Sequence, residues 1–510
     1  MTKEKEDYLF TTFPNLFPNG KNVSNQVSLM CYGFPDDGWF ALIKKICERI
    51  TATSTKVTVV QVKEKFGCYD KKTEILTNNG WKFFKDLKST DMVASLSNQD
   101  ELKFVIPSDM IQYKYKGLMY FLNTKQVNLC VTPNHNLYCA KGSYYNGKIK
   151  GNVIKRDYPF ELCVPEKYFK KNKRFKKTST WSGKSIECYR IEGHTRTDNY
   201  TDSINRKVKR TYEYNHQIYN IIPFLQLLGW YIAEGHYHKN NISLCLNYKN
   251  TKEILRVESI LDKLELKHKL CKGGIIRIYN TILGTWLKEN CGHLAPNKKV
   301  PEFIKHLTSE LINYFLTELY LGDGHKAKTA NMLYSTSKTL INNVQELIIK
   351  CGNSSTIYKE IPPSTHKGKD IIINGKHTSY AINWMTKTNF HNTMNKKKYQ
   401  ENSSQSYREE WIDYDDMVYC VSVPENILLV RREGKHYFCG NSLRYYVDFA
   451  AGTSKEDIDI VYNIINEGEA KSEVTCEQCG KPGILRAGGW IRTLCDEHSE
   501  GRQVYKLLDI

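Results

Sequence analysis

Two stretches far apart in this chain read as the halves of one hairpin. Val57-Thr-Val-Val-Gln-Val-Lys-Glu-Lys-Phe66 alternates like a strand and stops abruptly at Gly67-Cys68. Ser442-Leu-Arg-Tyr-Tyr-Val-Asp-Phe449 is a strand with no obvious partner in its own neighbourhood. With everything between them removed, the text becomes Lys-Glu-Lys-Phe-Gly-Ser-Leu-Arg-Tyr, two strands around a Gly-Ser turn. The constraint is geometric. Whatever residues 68–441 fold into must return its two ends to one place.

The ends themselves carry reactive groups. An asparagine side chain can attack its own backbone carbonyl and cut the chain, and a following hydroxyl can act as a nucleophile; Asn441-Ser442 offers both. Asn-Ser is otherwise a common turn dipeptide. Its context here is two strand-like runs, Val418–Val430 and His436–Cys439, joined by the Gly-bearing turn Arg431-Arg-Glu-Gly-Lys435. At the opposite end, Cys68-Tyr-Asp-Lys-Lys-Thr-Glu-Ile-Leu-Thr77 opens a new strand pattern, Gly80-Trp-Lys-Phe-Phe-Lys-Asp-Leu87 follows, and then Val131-Thr132-Pro-Asn-His135. Taken singly, Cys68, Thr132 and His135 read as a buried thiol, a strand end and a core histidine. As an ordered set they resemble the characteristic blocks of an intein, the self-excising protein insert.

That resemblance implies an all-β splicing domain of the Hint type, built from 68–160 and 404–441. It assigns Cys68 to the first acyl shift, Thr132 and His135 to distorting and protonating the Gly67–Cys68 amide, Ser442 to accepting the acyl group, and Asn441 to release, with no cofactor. Two departures stand out. Gly440 occupies the position before Asn441 where most inteins carry histidine, and Cys420 stands where many carry aspartate; His436 is a candidate for the missing helper.

Inside the insert the periodicity turns helical. Ile221–Glu234 and Leu311–Asp323 are apolar helices that each end in an acid and a glycine, and each is followed by strand-like text, an internal repeat. Leu227-Leu-Gly-Trp-Tyr-Ile-Ala-Glu-Gly235 and Leu316-Thr-Glu-Leu-Tyr-Leu-Gly-Asp-Gly324 resemble the paired motifs of LAGLIDADG (dodecapeptide, DOD-type) homing endonucleases. The resemblance implies an α+β domain over 216–403 with two pseudo-symmetric αββ-type repeats. Glu234 and Asp323 would lie side by side holding Mg²⁺, Lys298 would be an active-site lysine, and double-stranded DNA would be the partner. With both motifs in one chain, no oligomer is required. Glu318 sits where the family usually has glycine, so a looser helix contact is expected, and a DNA-binding domain that no longer cuts is the alternative.

Charge points the same way. Lys+Arg 74 against Asp+Glu 55 gives +19 at pH 7, suiting a polyanionic partner. In the connecting region 161–215, a basic run interleaved with aromatics supplies Lys170, Lys171, Lys173, Arg174, Lys176 and Lys177, which read either as a solvated loop or as DNA-backbone contacts. No apolar run reaches the roughly 18 residues of a membrane span, and the first residues lack a signal-peptide pattern. Sixteen cysteines in such a chain suggest reduced thiols in a cytoplasmic protein.

The flanks 1–67 and 442–510 then form a small α/β host protein. Cys476-Glu-Gln-Cys479 and Cys495-Asp-Glu-His498 have the spacing of a tetrahedral Zn²⁺ site. The joined flanks resemble an uncharacterised family of small bacteriophage proteins, which implies the cytoplasm of an infected bacterial cell and carries no activity.

Overall fold

The computed structural model describes most of the chain; 17–39, 386–407, 465–474, 502–510 and several shorter stretches, 441–443 among them, lie outside the described residues. Of the hairpin halves, Val57–Lys63 pairs antiparallel with Arg444–Phe449, from Val57 opposite Phe449 to Lys63 opposite Arg444, with one bulge between Val59 and Gln61. The two distant stretches are therefore neighbours. Beside them, helices α1 (Lys3–Thr12) and α2 (Phe40–Ala52) share a small core, in which Ile43, Ile46, Cys47 and Ile50 form the buried stripe of α2.

Residues 68–181 and 408–440 form one β-rich body. Its spine is Asp109–Asn123 paired along its whole length with Arg408–Ser422, a match of strands from opposite ends of the sequence. Tyr69–Asp70 and Asn128–Val131 close these two into a barrel. Ile427–Arg432 and Lys435–Gly440 form a hairpin that continues into Thr73–Thr77. Strand alternation sends Tyr437 and Cys439 into the core with Cys68 and Tyr69, while Phe438 faces a second core with Leu76 and Ile349.

The basic run is where expectation and structure part. Glu161–Cys163 and Lys173–Phe175 both pair with Leu137–Lys141, so this part of 161–215 belongs to the β-rich body rather than to a connector. Lys173, Arg174, Lys176 and Lys177 are buried. Lys173 donates to Glu409 (2.5 Å) and the Tyr168 carbonyl (2.7 Å), Arg174 to the Lys141 carbonyl, Lys176 to Asp100, and Lys177 to the Gln126 carbonyl. Burial pushes Lys177 down to about 7, with Lys435 pushing the same way. These four cannot contact DNA. Only Lys170 and Lys171 remain exposed.

The helical repeat appears as two matching units. The first runs α3 (Ile221–Glu234), two strands, α4 (Thr251–Lys263), two strands; the second runs α6 (Ser309–Asp323), two strands, α7 (Lys338–Lys350), and further strands. In the first sheet the order is Gly235–His238, Asn241–Cys245, Ile275–Ile278, His268–Cys271. The second repeats it with Gly324–Lys326, Asn331–Ser335, Ser379–Met385, Ser354–Ile361. Each unit thus carries a second helix and strand pair beyond the expected αββ. Between them, α5 (Thr281–Cys291) leads into the segment bearing Lys298. The second sheet joins the β-rich body where Thr356 pairs with Lys435.

Candidate functional site

Helices α3 and α6 cross with their backbones in contact. A Cβ on Gly229 would lie 2.8 Å from the Leu319 amide nitrogen and 2.9 Å from the Phe315 carbonyl, and one on Gly322 would lie 2.5 Å from Ala233. Glycine is required here by close approach, not by conformation. The sequence explains why α3 is central: Leu225, Leu227, Leu228, Trp230, Tyr231 and Ile232 are all buried, an apolar helix with no wet face in its middle.

Glu318 stands where glycine was expected to be needed, and it does not loosen the crossing. It is 1 % exposed and accepts hydrogen bonds from Trp230 Nε1 (2.8 Å), Gln226 Nε2 (2.9 Å) and Arg256 Nε and Nη2 (2.8 and 2.5 Å). Its Cβ packs beside Gly229, whose missing side chain supplies the room. At this level of the crossing a glycine on α3 alone is enough; Gly322 serves the level nearer the acids.

The crossing brings two acids to the same end. Glu234 and Asp323 are the last residues of α3 and α6. Burial raises Glu234, and the Glu253 charge adds to it. Asp323 keeps an exposed side chain, yet the protein packed around it pushes it up to about 7, with the Glu234 carboxylate adding and Lys298 opposing. Lys298 is buried against the end of α3, donating to the carbonyls of Tyr231 and Gly235 (2.7 Å each) with its Nζ 4.1 Å from the Tyr231 ring centroid. Burial lowers it to about 8. Two carboxylates that resist ionising together, beside a lysine, make a site whose repulsion a divalent cation would relieve.

A family model places part of this unit. Residues 310–413 match the LAGLIDADG-like domain. The match covers α6, α7 and the second sheet. An ATP-dependent Clp protease proteolytic subunit from Chlamydomonas moewusii is 27% identical over 317 residues, 58% of this chain and 29% of that protein. A DNA-directed RNA polymerase subunit beta C-terminal section from Stigeoclonium helveticum is 23% identical over 427 residues, 75% of this chain and 37% of that protein. The chain thus spans about a third of the length of these relatives. A solved structure of the homing endonuclease I-DmoI in complex with DNA and Mn aligns with 32% of this chain and 90% of its own, at 16% identity and a TM-score of 0.22.

Outside the LAGLIDADG-like domain, a second cluster forms inside the barrel, where Cys68, Thr132 and His135 come together. Thr132 Oγ1 accepts from the Cys68 amide (2.9 Å), and the Thr132 amide donates to the Cys68 carbonyl (3.0 Å). Gly67 is pressed against His135, where a Cβ would lie 2.3 Å from the His135 Cα and 2.9 Å from its Nδ1. Burial pushes the Cys68 thiol up to about 12, the Tyr113 hydroxyl opposing. It lowers the His135 ring to about 4, the Gly67 backbone opposing, so the ring is neutral at pH 7. Cys420 is buried on the strand that pairs with Tyr69.

The other end of the segment arrives at the same place. His135 Nε2 lies 3.3 Å from Cys439 Sγ, and the Tyr69 hydroxyl donates to the Gly440 carbonyl (3.2 Å), a residue 371 positions away. Asn441 and Ser442 themselves lie outside the described residues. His436 does not join the cluster. It points to the opposite face of its strand from Cys439, with Nε2 against the Lys177 carbonyl (3.1 Å), and burial with Lys177 beside it holds the ring well below its ordinary value. Sequence reading missed Tyr69 and Asn136, whose buried side-chain amide has no partner among the described residues. Adjacency to Cys68 and His135 was the available signal for both.

In the C-terminal flank, the ligand atoms of Cys476, Cys479, Cys495 and His498 lie within 4.8 Å of one another. Cys479 and Cys495 Sγ are 3.6 Å apart, and Cys476 Sγ is 3.8 Å from His498 Nδ1. Zn–S bonds of ~2.3 Å and Zn–N bonds of ~2.0 Å set tetrahedral ligand atoms about 3.5–3.8 Å apart, so the group is compatible with zinc. Burial pushes the Cys476 thiol up, but backbone amides of Cys495, Cys479 and Gln478 outweigh it and bring it to about 6, the thiolate side that a metal needs.

Proposed function

We propose that the chain is a precursor in which an intein, residues 68–441, excises itself and joins Gly67 to Ser442, and that the excised segment is a homing endonuclease. One observation carries the splicing reading: Gly67, which precedes one cleavage point, and Gly440, one residue short of Asn441 at the other, lie in one cluster around His135 and Tyr69. The host hairpin in register beside it adds support. So does the unlike chemistry of the relatives, since a protease subunit and an RNA polymerase section are what an insert moving between hosts would be found in.

The steps follow from the groups present. Thr132 holds the Cys68 amide, whose nitrogen must leave, and neutral His135 sits against Gly67, where it can take up the proton that the Cys68 thiol loses and, as the imidazolium, return it to that nitrogen. Cys68 would take the Gly67 acyl group as a thioester, Ser442 would take it as an ester, Asn441 would cyclise to free the insert, and the ester would relax to a peptide.

For the endonuclease, Glu234 and Asp323 at the ends of crossed helices and the LAGLIDADG-like match carry the reading. The two acids would hold Mg²⁺, which when bound activates water and stabilises the leaving oxygen of a phosphodiester. Lys298 fixes the carbonyl end of α3 and puts a positive charge beside them. Double-stranded DNA is the partner, and both acids in one chain remove any need for a second copy. Glu318, packed beside Gly229 and bonded to Trp230, supports cutting over the alternative of a DNA-binding domain that no longer cuts.

Expression of the full chain should yield the joined flanks and the free insert by intact mass, and Cys68→Ala with Asn441→Ala should leave only precursor. An unmutated chain that stays full length at neutral pH under reducing conditions refutes splicing. The excised insert with Mg²⁺ should cut a duplex encoding Lys-Glu-Lys-Phe-Gly-Ser-Leu-Arg-Tyr, and Glu234→Gln should abolish cutting while sparing binding. Binding without cutting by the unmutated insert would leave a DNA-binding domain only.

A further inference from the structure

We propose that Tyr69 is the positioning residue for the C-terminal junction: its hydroxyl, bonded to the Gly440 carbonyl, orients the Gly440–Asn441 peptide for cyclisation of Asn441. The inference rests on the splicing reading and deepens it.

Residue 440 can contribute only its peptide to the chemistry. A Cβ there would lie 2.4 Å from Leu162 Cδ2 and 2.6 Å from the Asn136 carbonyl, so no side chain fits. Help for the step at Asn441 has to come from a neighbour that touches that peptide, and among the described residues the Tyr69 hydroxyl does so, at 3.2 Å from the Gly440 oxygen. His436, four positions upstream, is turned to the Lys177 carbonyl.

Tyr69 is also held as a positioning group must be. It is 0 % exposed, its ring stacks on Phe84 (centroids 5.0 Å apart) and meets the His135 ring edge-on (4.4 Å). Burial, with the nearby Cys439 and Cys420, keeps the phenol protonated, so it donates and does not accept a proton. The ring therefore lies between His135, which serves the front junction, and Gly440, which leads into the rear one.

The step it orients balances within the chain. Asn441 Nδ2 bonds to the Asn441 backbone carbonyl carbon, the bond from that carbon to the Ser442 nitrogen breaks, and one amide proton ends on that nitrogen. The insert then ends in an aminosuccinimide and Ser442 carries a free amine. Intramolecular attack depends on orientation, and a hydrogen bond on the Gly440 carbonyl limits how freely the peptide that leads into Asn441 can turn.

The test uses the full chain made by cell-free translation, with release at 441–442 and thiol-induced cleavage at 67–68 followed separately by mass. Tyr69→Phe keeps the ring contacts and should slow release at 441–442 at least tenfold while leaving cleavage at 67–68 within twofold, so that the branched form accumulates. Tyr113→Phe, which removes the hydroxyl facing Cys68, should give the opposite split. Should Tyr69→Phe not fold, 3-fluorotyrosine at position 69 preserves the shape and alters the donor, and only the rate at 441–442 should change. Equal slowing of both steps in a folded protein, or no change at 441–442, overturns the proposal. A wild-type chain that makes neither product would instead overturn the splicing reading itself.

Discussion

Replacing Glu318 by glycine makes α6 resemble α3 at the matching position, and the structure predicts that the protein is weakened by it. Three terms set the size. The Trp230 indole N–H, buried in the crossing, loses its acceptor, which costs about 1–3 kcal/mol. A glycine inside a helix costs about 1 kcal/mol more. The Arg256 ion pair adds little, because that side chain is 44% exposed and water can take over, so ~0–1 kcal/mol is assigned to it. The sum is roughly 2–5 kcal/mol. Native-state hydrogen exchange on the full chain is the suitable assay, since it reads the amides of α3 and α6 separately from the barrel. About 3 kcal/mol corresponds to exchange faster by roughly a hundredfold. Glu318→Gln keeps an acceptor for Trp230 and should fall well short of that. Slower exchange in Glu318→Gly would mean that glycine packs the crossing better and would refute the account of the network.

The surrounding protein pushes Asp323 up to about 7 against an ordinary 3.8, so without divalent cations stability should fall as pH rises from about 4 to about 7; Asp323→Asn should flatten most of that slope, leaving the part due to Glu234, read from urea midpoints at pH 5 and pH 8. Glu409→Ala strands the fully buried Lys173, with an expected loss of about 3–5 kcal/mol by calorimetry, whereas replacing both residues by methionine should restore most of it. The joined flanks, purified without added metal, should carry one zinc per chain by elemental analysis, and Cys479→Ser or a chelator should lower both that content and the melting temperature.

The parts that sequence reveals here are those fixed by local spacing. The apolar helices ending in Glu234 and Asp323, the alternation of the two flanking strands and the paired Cys-x-x-Cys and Cys-x-x-His need no knowledge of distant neighbours. The basic run misled because charge marks a surface only when no partner is waiting inside. Lys173 is answered by Glu409, 236 positions away, and Lys177 by a carbonyl, neither visible along the chain. Glu318 failed for the same reason, since its acceptance rests on Arg256, Trp230 and the space left by Gly229. His436 could have been set aside from strand parity alone, because its neighbour Tyr437 shares the face of Cys439.

The pairing of Lys63 with Arg444 bears on the order in which this chain can fold. As a hairpin it spans about 380 residues, and against the roughly six that would remain after excision, closing so long a flexible loop costs about 4 kcal/mol more. Two short strands cannot offset that by themselves. The β-rich body removes the difficulty, because Gly67 against His135 and Gly440 against Asn136 hold both ends of the loop together. The two strands can therefore meet only after the segment between them has folded, which makes that segment a scaffold for the hairpin that flanks it.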